Sequence, residues 1–135
     1  MLKVLRVALA SLCTAGLALI AGGTAHAASA GSPPPSCAAS YQTLNEAPGM
    51  FVAQVTVTNP GGPVVNGWSV TFTFPGGQQV THSWNATVQQ GGAGVAAVPA
   101  SWDATIPAGG SVLFGLYGTW VRSDAPPVTL TCQAS

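Results

Sequence analysis

Charge is nearly absent from this sequence. Its 135 residues hold three Lys or Arg and three Asp or Glu, so charged side chains make up only 4% of the chain. Such a protein has no electrostatic hold on nucleic acid or on anionic lipid. The usual material of active sites is equally thin. Glu46, Asp103 and Asp124 are the only carboxylates, each in a segment that reads as a turn. A glycosidase needs two carboxylates at a set separation, and nothing in the spacing pairs these. Sustained helical periods are also missing, because Gly or Pro interrupts every candidate stretch. No second apolar run after the first twenty residues approaches the length of a membrane span.

The first apolar run has its own explanation. Lys3 and Arg6 precede an unbroken apolar stretch from Val7 to about Ile20, and small residues follow. Ala25-His26-Ala27 and Ala28-Ser29-Ala30 both fit a cleavage site. Residues 1–27 therefore read as a secretory signal peptide, and the protein is expected outside the cell. Residues 28–36, ASAGSPPPS, read as a short linker, which leaves 37–135 for one folded domain. Loss of the leader removes Lys3, Arg6 and Cys13. The exported chain then carries Glu46, Asp103, Arg122 and Asp124 as its only charged side chains. Its solubility has to come from Ser, Thr, Asn and Gln. A surface of that kind suits a neutral partner rich in hydroxyl groups.

Cys37 and Cys132 remain, one near each end of the domain. Export favours oxidation, so they are expected to form a disulfide. Two cysteines and His82 are too few for a zinc site, and neither a metal nor a cofactor is expected.

What the sequence has in abundance is strand and turn. In FVAQVTVTN (51–59), Phe51, Ala53, Val55 and Val57 alternate with Val52, Gln54, Thr56 and Thr58. In WSVTFTF (68–74), Trp68, Val70, Phe72 and Phe74 alternate with Ser69, Thr71 and Thr73. A period of two over this length marks a half-buried antiparallel strand. Further strands are expected near 38–44, 78–84, 85–90, 93–98, 111–117 and 127–132, with Gly- and Pro-rich turns between them. The fold class is therefore all-β, a two-sheet antiparallel sandwich of immunoglobulin-like or jelly-roll-like kind.

Four tryptophans remain to be assigned. Trp68 lies on the apolar parity of its strand and reads as core. Trp120, in GTWVRSDAPP, reads as a loop residue packed on a neighbour. Trp84 sits in VTHSWNATV (80–88) and shares its parity with His82. An inward His82 would need a buried partner. Pattern alone leaves Trp84 between core and display. It leaves Trp102, in the turn-rich stretch PASWDATIPAGG, equally open. Tyr117 ends SVLFGLY on the outward parity. Exposed aromatic rings on a neutral, amide-bearing surface suit the C–H faces of sugars.

The segments NGWSVTFTFPGGQQVTHSWNATV (66–88) and ASWDATIPAGGSVLFG (100–115), with the bracketing cysteines, resemble the family 2 carbohydrate-binding modules. The resemblance runs from Cys37 to Cys132. It implies a planar face with exposed tryptophans lying along a cellulose chain, and Trp84 and Trp102 match two of the family's three positions. The third falls in Asn45-Glu46-Ala47-Pro48-Gly49-Met50-Phe51, where Ala47 replaces tryptophan. Met50 stands where cellulose binders carry glycine and xylan binders arginine. Family contacts made by Asn, Gln and Asn correspond here to Gln54, His82 and Tyr117.

The resemblance implies a monomeric, non-catalytic module for a neutral β-linked polysaccharide, cellulose before xylan or chitin. Its carbohydrate-binding residues would be Trp84, Trp102, Tyr117, His82, Gln54 and Asn45. Only Gln133, Ala134 and Ser135 follow Cys132, so the expectation is either a polysaccharide binder that acts alone or a fragment of something longer. The enzymatic alternative is a copper oxidase of polysaccharides. Cleavage before His26 would expose an N-terminal histidine, with His82 as a second ligand. The two A-x-A sites instead favour cutting after Ala27 or Ala30, and the linker would leave that histidine unheld.

Overall fold

The computed structural model describes residues 31–135. The leader and His26 lie outside the described residues. Eight strands follow in order: β1 (Ala38–Ala47), β2 (Met50–Thr58), β3 (Trp68–Thr73), β4 (Gln79–Trp84), β5 (Ala86–Gly91), β6 (Gly94–Pro99), β7 (Ser111–Thr119) and β8 (Val128–Ala134). They form two four-stranded antiparallel sheets, ordered β1-β2-β7-β4 and β5-β6-β3-β8. The expected sandwich is present, and all eight expected strands appear close to their predicted bounds.

The period-two text explains the core. Phe51, Ala53, Val55 and Val57 of β2 meet Trp68, Val70 and Phe72 of β3, joined by Phe74, Phe114 and Leu116. Trp68 stacks on Phe114 at 5.5 Å between ring centres. Tyr41, Phe51, Phe72 and Phe74 meet edge to face at 5.1–6.2 Å. Such pairs add about 0.5–1.5 kcal/mol each beyond burial. Two buried amides fix the loops. The Asn59 side chain donates to the carbonyls of Pro63 and Ile106 at 2.8 and 3.1 Å, and Gln78 accepts from Gly76 and donates to Ala125, both at 2.7 Å.

One boundary differs from expectation. Glu46 is expected in a turn, yet it and Ala47 belong to β1 and pair with Phe51 and Met50. The turn itself is only Pro48-Gly49, with Gly49 at φ 76°. Proline first and a positive-φ glycine second are what a two-residue reversal of this kind requires. Ala47 therefore lies on a sheet and not in a loop.

The expected Cys37–Cys132 disulfide is formed, with Cα atoms 5.7 Å apart and the cysteines separated by 95 in sequence. In the chain-entropy model a loop of ~100 residues contributes about 4.7 kcal/mol. Cys132→Ser is expected to lower the melting temperature by ~10 °C or more in calorimetry. An unchanged value would show that the sandwich holds without its staple.

Candidate binding face

The outer face of the β1-β2-β7-β4 sheet can be read row by row from the register. One row runs Asn45, Val52, Tyr117, His82. The next runs Gln42, Gln54, Gly115, Trp84. Ala47, Met50, Thr119 and Gln79 form the row on the other side of the first. Five of the six expected site residues thus share one face. Trp102, the sixth, arrives from the loop between β6 and β7.

Two bulges create this face. In β4 the register shifts between Val80 and His82. Strict alternation would put Val80, His82 and Trp84 on one side. The extra residue, Thr81, breaks the alternation, so Val80 packs against the core while His82 and Trp84 point outward. In β1 a shift between Thr43 and Asn45 does the same. Tyr41 packs against the core, and Asn45 and Ala47 come out on the face. β1 and β4 are the two edges of the sheet, where bulges are common and also blunt unwanted strand pairing.

Trp84 is 44% exposed and rests on Gly115. A Cβ built on Gly115 would come within 1.8 Å of the indole. The ring therefore needs a bare backbone beneath it, and it buries that glycine in return. Asn85 follows at φ 61°, a left-handed conformation that asparagine tolerates, and there the chain passes from one sheet to the other. Its side-chain oxygen accepts from Trp102 Nε1 at 3.3 Å. Trp102 is 74% exposed. Both tryptophans that pattern left open are displayed, and Asn85 links them. Tyr117 is half-buried between His82, edge to face at 6.0 Å, and Met50, whose sulfur accepts from the phenol at 3.8 Å. Trp68 is core, as expected. Trp120 packs on the core and donates to the Met50 carbonyl at 3.2 Å. It adds no exposed platform.

The loop carrying Trp102 is pinned from below. Trp68 Nε1 donates to the Asp103 carbonyl at 2.8 Å, and Ile106 pairs with Val65. The Asp103 side chain is buried, and its carboxylate closes no hydrogen bond. Burial pushes its pKa above the usual carboxylate range; the nearby Ala100 and Asp103 amides offset this only in part. Asp103 is thus turned away from any ligand on the face. Among the described residues no three His, Cys, Asp or Glu side chains form a metal-binding group.

Asn85 and Gly115 were not singled out by sequence. An asparagine between two strands and a glycine inside a strand were the available signals. Gly115→Ala is expected to lift the Trp84 ring off the sheet. Quenching of tryptophan fluorescence by acrylamide should rise, and the rise should vanish when Trp84 is also replaced. If quenching is unchanged, the ring does not depend on that contact.

Asp103 gives a pH signature. The unfolded chain loses this proton near the ordinary carboxylate pKa, and the folded chain loses it at higher pH. Stability contributed by the protonated form is present below that window and falls as pH rises through it. Asp103→Asn should therefore raise the melting temperature near neutral pH. In acid, below the ordinary carboxylate pKa, the two proteins should converge. A lower value at neutral pH would mean that the carboxylate holds a stabilising contact.

Known proteins resemble this chain in sequence and in fold. Residues 37–135 match the family model described as "Cellulose binding domain". Endoglucanase A of Thermobispora bispora is 40% identical over 99 residues, which cover 73% of this chain and 21% of the relative. The chain thus spans about a fifth of that relative's length. Among solved structures, the cellulose-binding family 2 domain from ScLPMO10C superposes with a TM-score of 0.62 at 31% identity, covering 76% of this chain and 100% of the other. The chitin-binding domain of Chi18aC from Streptomyces coelicolor gives 0.61 at 31% identity, covering 73% of this chain and 90% of the other. The chain belongs to the cellulose-binding domain family, the family 2 carbohydrate-binding modules.

Proposed function

We propose that this domain holds a neutral β-linked polysaccharide, cellulose before xylan or chitin, on the outer face of the β1-β2-β7-β4 sheet. It does so as an exported monomer and without catalysing a reaction. Residues 1–27 serve as the leader, 28–36 as the linker and 37–135 as the module. The observation that carries the reading is the pair of exposed rings, Trp84 and Trp102, joined at Asn85 and flanked by a row of amides. Exposing two large apolar rings on a small domain is unfavourable in water, and a partner that covers them removes that cost.

Roles follow from position. Trp84 and Trp102 stack on the C–H faces of pyranose rings. Gln54 and Asn45 offer amides to sugar hydroxyls, and His82 one donor or acceptor. Tyr117 adds partial stacking area in the row beside Ala47, where the family's third tryptophan is missing. Burial of Asp103 argues against a catalytic carboxylate pair. The two carboxylates left, Glu46 and Asp124, line one depression with Trp120 beside the Pro48-Gly49 turn, and Glu46 pairs with Phe51 on the parity opposite to the face that carries Trp84.

The test is retention of the leaderless protein on insoluble cellulose, xylan and chitin. Trp84→Ala and Trp102→Ala should each weaken retention on cellulose about tenfold, on the stacking scale of roughly 1–3 kcal/mol per ring taken from nucleic-acid binders. Tyr117→Ala should weaken it less. Retention untouched by either tryptophan change would refute the stacking role.

A further inference from the structure

A shallow depression lies on the face beside its rings. It lies between Ala47 and Tyr117 and is lined by Asn45, Glu46, Ala47, Met50, Phe51, Val52 and Tyr117, with a volume of about 100 Å³. We propose that this depression is a socket for an acetyl substituent carried by the bound polysaccharide. The inference rests on the polysaccharide-binding reading above and adds a specificity to it.

Size comes first. A cavity of about 150 Å³ is filled by one benzene molecule. A pyranose with its hydroxyls is larger than benzene and does not enter 100 Å³. An acetyl group does. Chemistry comes second. The walls on the outer side of the sheet are Ala47, the Met50 thioether, Val52 and Tyr117; Glu46 and Phe51 have the opposite parity, and the Phe51 ring is in the core. The bond from the Tyr117 hydroxyl to Met50 Sδ, 3.8 Å, occupies the polar end of one wall. A sugar hydroxyl entering here would give up water for few partners. A methyl group loses nothing by leaving water. Asn45 brings an amide to the same depression, able to donate to the acetyl carbonyl or to accept an N–H.

Position comes third. The socket lies on the same face as Trp84, two strands across and one register row along. With strands about 4.8 Å apart and about 6.7 Å per two residues, the offset is on the order of 10 Å. A β-1,4-linked chain turns each unit over, so a given substituent faces the protein once per disaccharide. The offset is close to one such repeat. A chain stacked on Trp84 can therefore send one substituent into the socket. The acetyl group could be the N-acetyl of a 2-acetamido polymer or the O-acetyl of a decorated xylan. Both present the same methyl and carbonyl.

Calorimetric titration of the leaderless protein with two matched ligand pairs tests this. One pair is a hexamer of N-acetylglucosamine against a hexamer of glucose. The other is acetylated xylan against the same xylan after chemical deacetylation. Burying one methyl corresponds to about a fourfold gain in affinity. We expect the acetylated member to bind about fourfold tighter in at least one pair, and the pair that responds identifies the source. Ala47→Leu fills the socket and should erase the preference, with affinity for the glucose hexamer unchanged. Ala47→Val repeats the test with a smaller filler. Position 47 is exposed, so neither change burdens the core. Equal affinities within both pairs overturn the socket, as does a preference that survives both substitutions. Absence of binding to all four ligands, and to insoluble cellulose, would instead overturn the polysaccharide-binding reading on which it rests.

Discussion

Trp84 can lie on the sheet only because Gly115 has no side chain. The two residues are register partners on β4 and β7, and a single added carbon would sit inside the indole. This contact fixes more than one ring. It fixes how close the aromatic surface lies to Gln54, which pairs with Gly115 from the other side. It also fixes where the chain turns at Asn85, and Asn85 in turn holds the Trp102 indole. The exposed aromatic end of the face is thus built outward from a bare stretch of backbone.

Both edges of that sheet reach the same result by the same means. A strand with strict alternation has one apolar side and one polar side. It cannot send Val80 into the core and Trp84 outward, or Tyr41 into the core and Ala47 outward. One extra residue in each edge strand makes this possible. The central strands β2 and β7 keep perfect alternation and carry the core. The division is physical: a bulge in a central strand would break two ladders, whereas at an edge it disturbs one.

This division explains what was legible in the sequence. The core strands were, because burial of one side writes a period of two directly into the residue types. Phe51 to Val57 and Trp68 to Phe74 show it. The disulfide was legible because only two cysteines remain in the domain. The displayed rings were not legible from pattern. In VTHSW the period is broken by Thr81, and the break shows only in how β4 registers against β7. Ala47 was hidden in the same way, behind the bulge between Thr43 and Asn45. The burial of Asp103 was equally invisible, since it depends on Trp68, 35 positions away, seizing the carbonyl of that residue. The family resemblance picked out Trp84 and Trp102 for display, and the bulge and the pinned loop supply the physical reason.

A binding face with rings at two of three expected places has to make each ring count. Ordering a free side chain on binding costs about 0.5–1.5 kcal/mol. Here the ordering is done in advance. Trp84 is laid on Gly115, the Trp102 N–H is tied to Asn85, and Tyr117 is held between His82 and Met50. Beneath them, Trp68 ties the Trp102 loop to the core. The loss at Ala47 is then more than a missing platform. With a tryptophan there, the space above Met50 and Val52 would be covered by a flat ring. With a methyl group it stays open, next to rings that are already in place. A flat face recognises whatever presents a C–H surface. A face with one hollow can also distinguish what that surface carries.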